Sequence, residues 1–218
     1  MKIAIDGPAG AGKSTVARAL AQTLGFVYID TGAMYRALTW KVLQKGISIQ
    51  DTSSLYKLAA STDIHFETRS GIQRIICDGE DLTEVIRSPE ISAQVSAIAA
   101  PPMVREIMVR KQQIMAETCN VIMDGRDIGE QVLPDAEFKF FLTAGLQERA
   151  RRRALEMESQ GYELDENAIK KDIENRDRMD SEREVGALKI LDDSIVIDTG
   201  RYDAGEVLAQ ILSIIREE

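Results

Sequence analysis

Lys2 to Asp6 (KIAID) is a short, mostly apolar run ended by glycine, and from Lys13 to Leu24 the apolar positions switch to helical spacing through Val16, Leu20 and Leu24. The pattern predicts strand, glycine loop, helix. Phe26 to Ile29 (FVYI) reads as a second buried strand, and Asp30-Thr31-Gly32 supplies capping groups for a helix over about Ala33 to Leu43. A βαβα opening predicts a parallel sheet covered on both faces. In the middle of the chain the period changes. Asp63 to Arg69 (DIHFETR) alternates, Ser70-Gly71 is a turn signal, and Gln73 to Asp78 (QRIICD) is strand-like, so the pair reads as a hairpin in an inserted lobe. Helices are expected over about Pro89 to Ala99 and Pro102 to Glu117, each with a proline near its start, where a missing N–H costs nothing. Val121 to Asp124 (VIMD) and Phe138 to Leu142 (FKFFL) resume the buried-strand pattern. An Arg-rich helix is expected from Leu146 to Ser159, with Gly161 ending it. Lys170 to Arg183 is a highly charged run, Ser194 to Ile197 (SIVI) is the last strand, and an amphipathic helix closes the pattern from about Ala204 to Ile215.

At 218 residues and 44% hydrophobic content, the chain suits one domain with small insertions and a buried core. The net charge of −9 argues against a general nucleic-acid or membrane-surface binder, which carries a basic field. The basic residues are therefore informative locally. Seventeen of the 27 are Arg, whose planar fork of donors grips phosphate and carboxylate, and this points to anionic ligands. Cys77 and Cys119 form no C-x-x-C pattern and read as buried thiols in a reducing cytosol rather than as a disulfide or zinc site. The single histidine, His65, lies in an alternating stretch and reads as structural. The chain opens on a strand rather than a charged leader, and no apolar run approaches the ~20 residues of a membrane span. A soluble, cytoplasmic protein is expected, and a monomer, because no long exposed apolar stripe demands a partner.

Gly7-Pro8-Ala9-Gly10-Ala11-Gly12-Lys13-Ser14, followed by Thr15, matches G-x-x-x-x-G-K-[ST] between a strand and a helix. Glycines let the backbone wrap a phosphate, N–H groups at the helix start point at it, and the helix dipole adds positive potential. Lys13 is expected to reach the β- and γ-phosphates, and the Ser14 hydroxyl to ligate Mg²⁺. The Asn-Lys-x-Asp motif of a GTPase does not occur.

Further anion-binding candidates stand after the strands, where doubly wound sheets place their ligand crevices. Asp30-Thr31-Gly32-Ala33-Met34-Tyr35-Arg36 either holds a small anion through Thr31 and Arg36 or is simply a capped helix. In Asp124-Gly125-Arg126-Asp127, Asp124 is a candidate for Mg²⁺ or its waters and Arg126 for the transferring phosphate; the alternative is a strand-ending turn with a salt bridge. Arg149, Arg151, Arg152 and Arg153 crowd one helix and read as a lid that closes over phosphates, or as a solvated helix screened by Glu148, Glu156 and Glu158. Arg176, Asp177, Arg178, Asp180 and Arg183 read equally as site residues or as an exposed helix with paired charges.

Taken together, IDGPAGAGKST (Ile5 to Thr15), DTGAMYR (Asp30 to Arg36), VRE (Val104 to Glu106), DGRDIG (Asp124 to Gly129), ERARRR (Glu148 to Arg153) and RDRMDSER (Arg176 to Arg183) resemble the bacterial cytidylate kinase family, a branch of the nucleoside monophosphate kinases. The resemblance runs nearly end to end. It implies a P-loop NTPase α/β fold: a doubly wound, parallel five-stranded sheet with helices on both faces. Within a single domain of residues 1–218 it implies an inserted monophosphate-binding lobe at 63–100, and the arginine helix would be a short lid at 146–165. The implied reaction is phosphoryl transfer from ATP, with Mg²⁺, to CMP or dCMP. By position, Thr31, Arg36 and Arg126 are similar to the family's grip on the acceptor phosphate. Ser96, Arg105, Asp127 and Arg183 match its contacts to the cytosine base, and Arg176 and Asp180 its contacts to sugar and phosphate. Family members often carry Ser where Thr31 stands, which keeps the hydroxyl. Lys13, Arg126, Arg149 and Arg153 are the expected catalytic group, and Ser14 with Asp124 the expected metal ligands. Competing readings are a P-loop kinase for another monophosphate or a small alcohol, and a non-catalytic nucleotide-binding module.

Overall fold

Strand β1 (Lys2–Asp6) places Ile3, Ala4 and Ile5 wholly out of solvent, because parallel neighbours cover both of its edges. In the computed structural model, which describes residues 1–69, 72–159, 161–162 and 165–217, β6 (Val121–Gly125) pairs on one side from Lys2↔Val121 to Asp6↔Gly125. On the other side β7 (Phe138–Thr143) pairs from Ile3↔Phe138 to Asp6↔Phe141. With β2 (Val27–Asp30) and β8 (Ile195–Asp198) the sheet order is β2-β6-β1-β7-β8. A strand inside such a sheet is apolar on both faces, which is why its sequence is a run and not an alternation. The five strand candidates and the expected α/β class are thus present.

The chain divides into two compact units, one comprising Met1–Tyr28 with Ala116–Glu218, the other Ile29–Met115. In the first, α1 (Lys13–Leu24) and α8 (Ala204–Glu217) set Val16, Leu20, Val207 and Ile211 against Ile3, Ile5, Ile122, Phe140, Leu142 and Ile197. Helices α6 (Leu146–Ser159) and α7 (Glu166–Ser181) pack through a small core of Ala150, Ile169 and Ile173. The charged run at 170–183 is therefore mostly helix, with one buried stripe.

In the second unit, α2 (Thr31–Gln44) begins two residues earlier than its apolar pattern suggested, because Asp30 caps it by accepting a 2.7 Å hydrogen bond from the Ala33 N–H. Helix α3 (Thr52–Ser61) was not expected from the sequence. Its serine-rich start hides a cap, in which Asp51 accepts from the Ser54 N–H at 3.0 Å, and a buried face of Leu55, Leu58 and Ala59. The hairpin forms as expected: β3 (Ile64–Arg69) and β4 (Ile72–Cys77) pair antiparallel, with the two-residue β5 (Glu80–Asp81) beyond them. The Ser70-Gly71 turn itself lies outside the described residues. Ser88 caps α4 (Pro89–Ile98), and α5 (Pro102–Met115) follows. Cys77 is buried, but Cys119 is only half-buried, so the expectation of two buried thiols holds for one.

Candidate active site

The loop after β1 is shaped by close approach. Gly7 adopts φ +148, and a side chain there would collide with the carbonyl oxygen of Leu142. Gly10 (φ +76) lies under Arg149, with only 3.0 Å from a built Cβ to the arginine's carbonyl oxygen. Helix α1 then starts with no side-chain cap and no acidic residue in its first turn, so its first N–H groups keep the geometry that anions use. Lys13 is buried and donates to the Pro8 carbonyl at 2.8 Å, folding the loop over itself. Burial, with repulsion from Arg126 and Arg176, lowers its ammonium pKa to about 7 against the pull of Asp124 and Asp6. Ser14 is half-buried and Thr15 exposed at the mouth of the same turn.

The strand ends beside Lys13 bring the second group together. Asp124, at the end of β6, is buried and accepts a 2.8 Å hydrogen bond from the Tyr28 hydroxyl, while Arg18 stacks 5.7 Å from that ring's centre. Arg126 donates from Nε to Asp180 Oδ2 at 2.7 Å. Arg183 forms a second ion pair with Asp180, which is 1% exposed. Burial pushes the Asp180 carboxyl up, but Arg126, Arg183 and Arg176 outweigh it and hold the pKa near 2. Lys13, Asp124, Arg126, Asp127, Arg176, Asp180 and Arg183 thus all belong to the first unit. On the second unit, Thr31 is buried at the start of α2 and Arg36 pairs with Asp30 at 3.2 Å. Ser96 is buried on α4, and Arg105, 1% exposed, stacks 5.5 Å from the centre of the Tyr35 ring and donates to the Ala99 carbonyl at 3.2 Å.

The arginines of α6 divide by partner. Arg149 is buried and braced, donating from Nε to Ala144 O at 2.9 Å and from one terminal nitrogen to Ala9 O at 3.0 Å and Asp177 Oδ2 at 2.6 Å. Arg151 and Arg152 both pair with Glu148, and their hydrogen bonds hold its carboxyl pKa near 2. Arg153 pairs with Glu156 at 2.8 Å. The crowding of like charge is relieved by Glu148 and Glu156 on the same helix and by Asp177 on α7.

Sequence reading missed three features. Asp6 accepts from the Ile128 and Gly129 N–H groups at 2.8 Å each. Thr199, in the turn after β8, donates its one hydroxyl proton to Ala11 O at 3.0 Å or Thr143 O at 3.1 Å and accepts from Arg152 at 3.0 Å. That turn walls a cavity of about 460 Å³ bounded also by Gly12, Thr15, Arg152 and Tyr202. A signal for Thr199 was present: Asp198-Thr199-Gly200 repeats the strand-end tripeptide Asp30-Thr31-Gly32, and in both the aspartate accepts from a following N–H.

The model of the cytidylate kinase family matches residues 3–217. The cytidylate kinase of Caldanaerobacter subterraneus subsp. tengcongensis is 51% identical over 217 residues, covering 100% of this chain and 95% of that protein. That of Bacillus cereus is 46% identical over 215 residues, covering 99% and 96%. Among solved structures, an uncharacterized protein from Eubacterium ventriosum superposes with a TM-score of 0.52 at 15% identity, over 100% of this chain and 99% of that one, a likeness of fold. With a phosphate loop, strand-end acids and arginines in one unit, and near-complete coverage at such identity, the chain belongs to the cytidylate kinase family.

Proposed function

We infer that the protein transfers the γ-phosphoryl group of ATP to CMP and dCMP, giving ADP with CDP or dCDP. The observation that carries this reading is the placement of Lys13 within electrostatic reach of Asp124 and Arg126 at the end of β6 and of Arg176 on α7. An oxygen of the acceptor's phosphate attacks the γ-phosphorus as the bond to the β,γ-bridging oxygen breaks and ADP departs. The attacking phosphate is already an anion at neutral pH, so no side chain need remove a proton. Catalysis then rests on positioning, charge neutralisation and exclusion of water. Lys13 and the loop amides hold the β- and γ-phosphates. Thr31, Arg36 and Arg126 are assigned to the acceptor phosphate, and Arg149 and Arg153 to the lid at 146–165, of which residues 160, 163 and 164 lie outside those described. The Ser14 hydroxyl and Asp124 carboxylate are oxygen donors of the kind a hard cation takes, and they would hold Mg²⁺, which supplies neutralisation of charge between the β- and γ-phosphates.

Ser96, Arg105, Asp127 and Arg183 are assigned to the base, and Arg176 and Asp180 to the sugar and phosphate. Cytosine presents an exocyclic amine beside two acceptors, which a carboxylate plus arginines can select; uracil presents a carbonyl there and leaves the carboxylate mismatched. Residues 63–100, which fall within the second unit, are assigned to the monophosphate-binding lobe. No helix among the described residues is long and apolar enough to cross a membrane; a monomeric enzyme of the cytoplasm is the reading proposed. The test is ADP release from ATP and Mg²⁺ with CMP, dCMP, UMP, AMP, GMP and dTMP supplied separately. Turnover confined mainly to CMP and dCMP is expected; equal turnover of UMP would remove the assignment of the base contacts.

A further inference from the structure

Asp127 heads the single π-helical turn Ile128–Val132, yet its side chain makes no cap hydrogen bond to that turn. An aspartate in this position normally accepts from the N–H groups two or three residues ahead, the first of which is that of Gly129. Here that donor, with the Ile128 N–H before it, is taken by a residue 122 and 123 positions away. Asp6 Oδ1 accepts from Ile128 N–H and Oδ2 from Gly129 N–H, both at 2.8 Å, so one carboxylate grips two successive amides. The fit is close on every side. A Cβ at Gly129 would lie 3.4 Å from Asp6 Oδ2, 3.1 Å from the Lys139 chain and 3.3 Å from Leu191. The carboxylate is 7% exposed, and its backbone is fixed in register, with Asp6 opposite Gly125 on β6 and Phe141 on β7.

We propose that Asp6 is a positioning residue for base selection: by capping the 128–129 amides from the end of β1, it takes over the work Asp127 would otherwise do and sets the angle at which Asp127 and Arg126 meet the acceptor nucleotide. The grip is two-pronged because a single bond would let the 126–129 segment pivot, and Asp6 adjoins the phosphate loop at Gly7, so the same strand end registers donor loop and acceptor loop against each other. Burial raises the Asp6 carboxyl to about 6 against the pull of both amides, which leaves it ionised and fully accepting at neutral pH. The proposal rests on the assignment of Asp127 to the base.

The test is Asp6→Asn, which keeps shape and one acceptor but presents an NH₂ to one of the two amides. Expected are a rise of about tenfold in KM for CMP and an equal fall in the preference for CMP over UMP, the size of one lost hydrogen bond, with KM for ATP held within about twofold. Asp6→Asn combined with Asp127→Asn should lose no more preference than Asp127→Asn alone, because both act through one carboxylate. Amide exchange at Ile128 and Gly129 should accelerate in Asp6→Asn whatever the kinetics. Unchanged CMP preference with faster exchange would overturn the proposal, as would KM values for ATP and CMP that rise together. Unchanged exchange would remove the structural claim itself. If Asp127→Asn leaves the preference intact, the assignment of Asp127 fails separately, and the exchange rates still decide whether Asp6 holds the turn.

Discussion

Arg149 makes three hydrogen bonds that only a guanidinium can make at once, to the carbonyls of Ala144 and Ala9 and to the carboxylate of Asp177. It therefore ties the phosphate loop to α6 and α7 before any ligand arrives. Replacing it with lysine keeps the charge but offers one nitrogen in place of the fork. Arg149→Lys should lose about 1–3 kcal/mol of stability in urea unfolding, the cost of leaving a buried acceptor unsatisfied, and should lower kcat, because the phosphate loop would lose the donor that holds its Ala9 carbonyl. Stability equal to the unaltered chain would show that the brace is dispensable. At this scale the sequence was legible wherever a residue's role follows from local spacing. Lys13 and Ser14 were placed by the loop motif alone. Arg149 was read as a phosphate-directed arginine of a lid, and its brace was not foreseen, because its carbonyl partners come from segments that carry no side-chain signal. Asp6 and Thr199 were missed for the same reason.

Helix α7 shows the limit for whole elements. Its charges predicted an exposed helix or a set of site residues; in the structure Ile169 and Ile173 face Ala150, while Asp180 is buried under arginines. The helix is anchored at one end by apolar contact and at the other by charge. Because Asp180's folded pKa of about 2 lies below its ordinary 3.8, its contribution is present above pH 4 and is lost as pH falls through 2. At neutral pH the shift corresponds to about 2–3 kcal/mol, and roughly half of that should be gone by pH 3. The stability difference between the unaltered chain and Asp180→Asn, from urea unfolding at pH 7 and pH 3, should shrink by that amount. A difference independent of pH would mean that the carboxylate stabilises α7 only through its shape. Helix α3 was unread for a simpler reason: three apolar positions in ten residues leave its buried face short of a recognisable period.

For the whole molecule, the local pattern supplied five strands but not their order, since pairing Lys2 with Val121 depends on contacts no short window contains. Nor did it show that the second unit begins inside β2, at Ile29, and runs to Met115. That boundary has a consequence for cooperativity. The chain passes from one unit to the other within a strand, Val27 and Tyr28 of β2 falling in the first unit and Ile29 and Asp30 in the second. The single tryptophan, Trp40, sits on α2 in the second unit, whereas the loop that holds ATP phosphates is in the first. Trp40 fluorescence therefore reports on one unit while the ligand acts on the other. If the chain unfolds as one cooperative body, ATP with Mg²⁺ at 100 times its dissociation constant should stabilise the transition seen by Trp40 by about 2.7 kcal/mol, the full linkage value. Circular dichroism, which sees all the helices, should shift equally. A Trp40 transition that stays in place while the dichroism midpoint rises would show that the two units unfold independently and that the shared strand does not couple them.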